Sequence, residues 1–158
     1  MAIPKDYKIE AGRLTVHVGF WMRLVSNHVS YAFAHKLKAS GMTVAEWVVL
    51  REMYSREDTT SPGAVAELTG LTRGAVSKLI SRLLAKGLVT RKESTSDRRY
   101  QDIELTSAAV ALVPRLAKLA DQNDEEFFAV LSKSERTSLT RTLKKIASHH
   151  QLTKMPVG

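Results

Sequence analysis

Ser61-Pro62-Gly63-Ala64-Val65-Ala66-Glu67-Leu68-Thr69-Gly70, followed by Leu71-Thr72-Arg73-Gly74-Ala75-Val76-Ser77-Lys78-Leu79-Ile80-Ser81-Arg82-Leu83-Leu84-Ala85-Lys86-Gly87, decides the fold. Ser61 is placed to cap a helix, and Pro62 suits its first turn because the missing N–H would be unpaired there anyway. Gly70 breaks that short helix, Thr72 caps the next, and Gly87 closes it. Two helices meeting over a short turn need a small residue at their contact, then a turn residue that tolerates positive φ. They also need an apolar residue on the second helix that docks on the first. Ala66, Gly70 and Val76 stand in that relation, which predicts a helix-turn-helix.

Outward from this unit the period changes. Residues 88–93 and 99–105 alternate as two short strands, with Ile103 and Leu105 on one buried face and Ser94-Thr95-Ser96-Asp97 supplying turn chemistry. Upstream, Leu14, Val18, Val25, Val29, Phe33 and Leu37 predict one long amphipathic helix over residues 11–39, ended by Gly41. Thr43-Val44-Ala45-Glu46 has the form of a capping box, opening a second helix that stops in the polar run 55–60. Downstream, Thr106 or Ser107 caps a helical region reaching Leu131 that Pro114 is expected to bend. Ser132-Lys133-Ser134-Glu135 is another capping box, before a helix bearing Leu139, Leu143 and Ile146.

The expected class is therefore mainly α with a small β-hairpin wing. Residues 41–106 form a winged helix-turn-helix lobe, flanked by a linking and dimerisation helix (1–40), C-terminal dimerisation helices (107–150) and a flexible tail (151–158). The outer helices exceed what so small a lobe can cover, and a second copy of the chain is the simplest way to bury their apolar stripes.

Charge points to the same unit. The 158 residues hold 24 Lys+Arg against 16 Asp+Glu, a net charge of +8. Between Thr72 and Arg99, Arg73, Lys78, Arg82, Lys86, Arg91, Lys92, Arg98 and Arg99 face only Glu93 and Asp97, so +6 of that +8 lies in one supersecondary unit. A polyanionic partner is implied, and a basic helix with an adjacent hairpin suits the major and minor grooves of duplex DNA.

Other classes are disfavoured. With no cysteine, disulfides, thiolate catalysis and Cys-ligated zinc are excluded. There is no phosphate-cradling glycine loop, no HExxH and no GxSxG, so no enzyme is expected. An N-terminus without an apolar core segment, and no apolar run near 18 residues, predict a cytoplasmic protein with no membrane contact. A winged-helix module serving RNA or a protein partner is the alternative. RNA readers favour stacking aromatics, however, and Tyr100 is the one aromatic of the recognition region.

The run 71–83, with Lys86-Gly87-Leu88-Val89-Thr90-Arg91, Asp97-Arg98-Arg99 and Leu105-Thr106, resembles the multiple-antibiotic-resistance regulator (MarR) family. Leu131-Ser132-Lys133-Ser134-Glu135-Arg136 is similar to that family's C-terminal dimerisation element. The resemblance spans roughly residues 12–148. It implies a homodimeric transcriptional regulator, most often a repressor, reading a pseudo-palindromic operator in double-stranded DNA without a cofactor. On that resemblance Thr72, Arg73, Gly74, Ser77 and Lys78 open the recognition helix, with Arg73 suited to pair a guanine edge at two points. Arg82 is expected to set the helix against phosphate. Of Arg98 and Arg99, one enters the minor groove while Asp97 orients its neighbour, with either assignment open. Ala109 departs from the family pattern, where glycine often stands.

The resemblance also implies a small aromatic or phenolic acid as effector. His17, Trp21, Leu24, His28, Tyr31 and His35 follow one another at steps of three and four, hence on one helical face. Trp21, His28 and Tyr31 are candidate walls, with a histidine such as His17, or Arg51, to pair the acid; the simpler reading of the same stripe is subunit interface or satisfied core. A metal site is not expected. His28 and His35 stand about 10 Å apart along a helix, and adjacent His149 and His150 diverge by about 100°.

Overall fold

The computed structural model describes residues 13–56, 58–93 and 101–158, Gln101 in its backbone only. A 3₁₀ turn at Leu14–Val16 precedes α1 (Val18–Lys38), α2 (Val44–Ser55), β1 (Thr59–Thr60), α3 (Pro62–Thr69) and α4 (Arg73–Ala85). β2 (Val89–Glu93), β3 (Gln101–Leu105), α5 (Ser107–Phe127) and α6 (Lys133–His149) follow.

Local chemistry sets these boundaries. Thr43 Oγ1 accepts from Glu46 N–H at 3.2 Å while Glu46 Oε2 accepts from Thr43 N–H at 3.2 Å, so the box at the head of α2 is reciprocal. Ser132 and Glu135 make the same exchange at α6. Ser61 accepts from Ala64 N–H, and Thr106, rather than Ser107, caps α5 by accepting from Ala109 N–H. Each such cap contributes about 1 kcal/mol. At the end of α4, Gly87 takes a left-handed φ of 68°, which lets Leu88 N–H reach back to Leu83 O at 3.0 Å.

Two expectations are corrected. The first helix is not continuous, because His17 is extended (φ −92°, ψ 125°) and caps α1 instead of lying within it; residues 11 and 12 fall outside the described part. Trp21 Nε1–H donates to Thr15 O at 2.8 Å and holds the 3₁₀ turn against the start of α1. The helical region predicted to reach Leu131 ends at Phe127, and α5 passes through Pro114 without losing its helical assignment. The second helix stops at Ser55, within the polar run 55–60 as expected, and the same run holds β1.

β1, β3 and β2 form an antiparallel sheet in that order, with Thr60 opposite Ile103 and Val89 opposite Leu105. Asp58, at φ 59°, offers its carbonyl to Leu105 N–H at 2.8 Å and extends this pairing by one bond. Ile103 and Leu105 are buried together, as their alternation predicts. They join Leu37 of α1, Trp47, Val49, Leu50 and Met53 of α2, Val65 of α3, four residues of α4, and Ala109, Val113 and Leu116 of α5 in one core. Ala109, the departure from the family's glycine, buries its methyl completely there.

Away from this core, several large apolar residues are uncovered. Leu14, Val16, Val18, Trp21, Met22, Leu24 and Val25 are exposed along the N-terminal half of the chain's first helical region. α6 buries none of its residues, and Leu139, Leu143 and Ile146 line one exposed side of it at helical spacing. Beyond α6, Met155 N–H donates to Leu68 O of α3 at 2.8 Å. Among the described residues no helix is long and apolar enough to cross a membrane.

Candidate nucleic-acid interface

The elbow between α3 and α4 is built as its residue types require. Gly70 ends α3 at φ 71°, ψ 9°, with its N–H on Ala66 O at 2.8 Å. A side chain in that left-handed conformation would be strained by about 1–2 kcal/mol. Ala66 packs against the core and Val76 is buried in it, completing the predicted relation. Thr69 adds a stitch that the sequence did not reveal. Its hydroxyl donates to Val65 O at 2.8 Å and accepts from Leu71 N–H at 3.2 Å, spanning the turn from the buried side.

α4 has two distinct faces. Val76, Leu79, Ile80 and Leu83 are buried, whereas Thr72, Arg73, Gly74, Ser77 and Lys78 are exposed. Arg73 with Ser77, and Gly74 with Lys78, are neighbours at i and i+4, so the exposed set forms a compact patch over the opening turns. Thr72 Oγ1 accepts from Ala75 N–H at 3.2 Å. A Cβ added at Gly74 would meet no atom within 4 Å, so the backbone there is open to close approach. No ion pair among the described residues engages Arg73 or Lys78.

The same helix is anchored from inside. Glu46, wholly buried, receives Arg82 Nε at 3.2 Å on one carboxylate oxygen and Lys86 Nζ at 2.6 Å on the other. Lys86 Nζ also donates to Gly41 O at 2.6 Å. A buried carboxylate must be paired and hydrogen-bonded to be tolerated, and this one holds α4 to the start of α2. Arg82, expected against phosphate, thus spends its Nε within the fold while half of its side chain stays exposed. Sequence reasoning found Glu46 as a cap but missed this pairing, because its partners lie 36 and 40 residues downstream.

Two of the eight basic residues of the charged unit therefore share one internal carboxylate. Lys92 stands 3.8 Å from Glu104 across the sheet, and Arg91 is exposed on β2. Asp97, Arg98 and Arg99 lie outside the described residues.

His17, Trp21, His28 and Tyr31 are exposed on the side of α1 opposite the core-packed Phe33, and Arg51 is exposed on α2. A cavity of ≈ 50 Å³ between α2, β1 and α3, lined by Val49, Glu52, Met53 and Val65 among others, includes none of the five. Among the described residues no three His, Asp or Glu side chains stand together to hold a metal ion. The inner side of α1 carries a polar staple to α5. Lys36 Nζ donates to Asn123 Oδ1 at 3.0 Å and meets Glu126 at 3.1 Å, while Asn123 Nδ2 donates to Val29 O at 3.2 Å. A hydrogen bond from Gln122, and then Lys36, hold the Glu126 carboxyl below its ordinary value.

Comparison with known proteins agrees with this architecture. Residues 40–99 match the profile of the MarR family. BpsR of Bordetella bronchiseptica, whose DNA binding is regulated by 6-hydroxynicotinic acid, is 26% identical over 86% of this chain and 96% of its own, with a TM-score of 0.74. The organohalide-sensing regulator RdhR-CbdbA1625, bound to 2,4-dichlorophenol, is 18% identical over 99% and 96%, at a TM-score of 0.77. A MarR variant from E. coli complexed with operator DNA is 22% identical over 82% and 92%, at 0.71. The chain shares its fold with these proteins over most of its length, and residues 40–99, which carry the helix-turn-helix elbow, match the MarR family.

Proposed function

We propose that the chain acts as a homodimeric repressor, laying α4 of each subunit into the major groove of a pseudo-palindromic operator and the wing into an adjacent minor groove. The observation that carries this reading is the open patch of Thr72, Arg73, Gly74, Ser77 and Lys78, set opposite the buried row of the same helix. Arg73 reads a guanine edge, Lys78 and the exposed part of Arg82 meet phosphates, and the helix backbone approaches closely at Gly74. The wing residues Asp97, Arg98 and Arg99 complete the contact. The reading assigns no catalytic step and places the protein in the cytoplasm with its DNA.

Dimerisation is supported by the uncovered apolar rows. Exposed apolar surface of this extent on terminal helices marks an interface, with residues 1–40 and 107–150 as its elements and 41–106 as the reading lobe. A second copy also brings a partner face to the stripe of His17, Trp21, His28 and Tyr31, where, with Arg51, a small aromatic acid would bind. BpsR and RdhR-CbdbA1625 respond to small hydroxylated aromatics. Such a ligand releases DNA if it binds the dimer better at a half-site spacing that does not match the duplex turn of about 34 Å.

Two measurements test the reading. Fragments of genomic DNA selected by the protein serve as probe for Arg73→Ala and Arg98→Ala, each of which should lose about 1–3 kcal/mol of specific binding as an intact dimer. Wild-type affinity in both variants refutes the docking. Leu143→Asp places a charge in the apolar row of α6 and should cost the dimer about 3 kcal/mol or more, giving monomers by light scattering. A dimer that withstands it would show that α6 lies outside the interface.

A further inference from the structure

Beyond α6 the chain turns back on the reading lobe. Gln151 adopts a left-handed φ of 52°, and Leu152 N–H reaches Ala147 O at 2.9 Å, closing α6 and re-aiming the backbone. The following residues lie across the C-terminal end of α3. Met155 N–H donates to Leu68 O at 2.8 Å, and Lys154 Nζ donates to Glu67 O at 2.5 Å. The Lys154 methylenes lie over Gly70, 3.8 Å from where a Cβ on that glycine would stand.

The chemistry of α3 makes this more than a chance contact. A helix leaves its last four carbonyls without intrahelical donors. Those of Glu67 and Leu68 belong to this group, because Leu71 N–H has turned to the Thr69 hydroxyl. The tail supplies a backbone donor and an ammonium to two adjacent orphans, and a cation at a helix C-terminus is favoured by the helix dipole. The pairing of Lys154 with the Glu67 carboxylate, 3.5 Å apart and well exposed, adds little. The carbonyl bonds hold the tail.

We propose that residues 151–157 are a strap that fixes the helix-turn-helix elbow to α6, with Lys154 and Met155 as positioning residues for DNA reading. The proposal rests on the DNA-binding function given above. Without the strap, the lobe joins the terminal helices through α1 and α5 alone. With it, the elbow that aims α4 is also tied to the helix carrying Leu139, Leu143 and Ile146. Turning α3 and α4 against α6 must break the bonds at Glu67 and Leu68. The strap therefore restricts the spacing of the two recognition helices in a dimer, and any ligand that changes this spacing works against it.

The test compares the full chain with a chain lacking residues 153–158 and with Met155→Pro, which removes the donor to Leu68. The probes are a duplex selected from genomic DNA by the full chain and the same duplex with one base pair inserted between its half-sites. The strap predicts that both variants stay dimeric and bind the native duplex about fivefold more weakly, the scale of a hydrogen-bonded coupling between sites. It also predicts that they discriminate less between the two duplexes. A tail that only adds stability would lower the melting temperature and leave the discrimination ratio unchanged, and that result overturns the proposal. Full affinity in both variants overturns it as well, with DNA binding intact. Failure of the full chain itself to bind any duplex would instead bring down the DNA-binding reading, and the strap with it.

Discussion

Gly70 and Gly74 stand four residues apart and make opposite demands on the chain. Gly70 is needed for its left-handed backbone, so Gly70→Ala should cost about 1–2 kcal/mol in urea denaturation while leaving every exposed residue of α4 in place. Gly74 lies in the first turn of α4, where alanine is the better helix former by up to about 1 kcal/mol. Its Cβ position is open in the free chain, and it belongs to the surface proposed to face DNA. Gly74→Ala should therefore raise stability slightly and weaken operator binding by about 1 kcal/mol, the scale of a disturbed groove contact. A variant gaining stability with unchanged binding would move the DNA away from Gly74. Glu46 is the third decisive residue at this scale. One carboxylate caps α2 and, with the same two oxygens, holds Arg82 and Lys86 of α4.

Among the elements, α4 is held on three sides, by Glu46, by the core and by the elbow, whereas α1 and α6 show apolar rows to solvent. Under the proposed function, that contrast separates the part of the molecule that reads from the part that assembles. α1 and α5 are joined within one chain by Lys36, which links Asn123 and Glu126. The Glu126 carboxyl is held below its ordinary value, so its contribution to stability is complete above the pKa of the unfolded carboxyl. It is lost as pH falls through the lower folded value. Urea midpoints of the wild type and Glu126→Gln should therefore differ at pH 7 and converge in acid. A difference that persists in acid would show that the ion pair is not its source.

For the whole molecule, the net charge of +8 conceals an uneven distribution. Glu46 neutralises part of the basic unit from within, and Arg73, Lys78 and Arg91 are left exposed on its surface. Binding to duplex DNA should weaken steeply with salt as phosphate contacts release counterions, with a log–log slope of roughly −0.9 per contact. Lys78→Ala should flatten that slope by about one per subunit and weaken all sequences alike, whereas Arg73→Ala should act mainly on the preferred sequence. An unchanged slope in Lys78→Ala would remove that lysine from the phosphate contacts.

The amino-acid sequence by itself determined the local structure. Thr43 with Glu46, Ser61 with Pro62, Gly70, Thr72, Gly87 and Ser132 with Glu135 act through hydrogen bonds and backbone sterics that span at most a few residues, and each stands where its type requires. The two faces of α4 were legible for the same reason, since helical period alone sorts buried Val76 and Leu79 from exposed Arg73 and Lys78. Only the tertiary structure decided what depends on distant chain segments meeting. The pairing of two-residue β1 with β3 has no period to betray it. The burial of the Glu46 carboxylate against Arg82 and Lys86, and the return of Lys154 and Met155 to α3, bring together residues separated by 36 to 87 positions. The Glu46 contacts form because the folded core leaves that carboxylate without water, and the tail contacts because the end of α3 leaves carbonyls without intrahelical donors, conditions that depend on which distant segments the fold brings near.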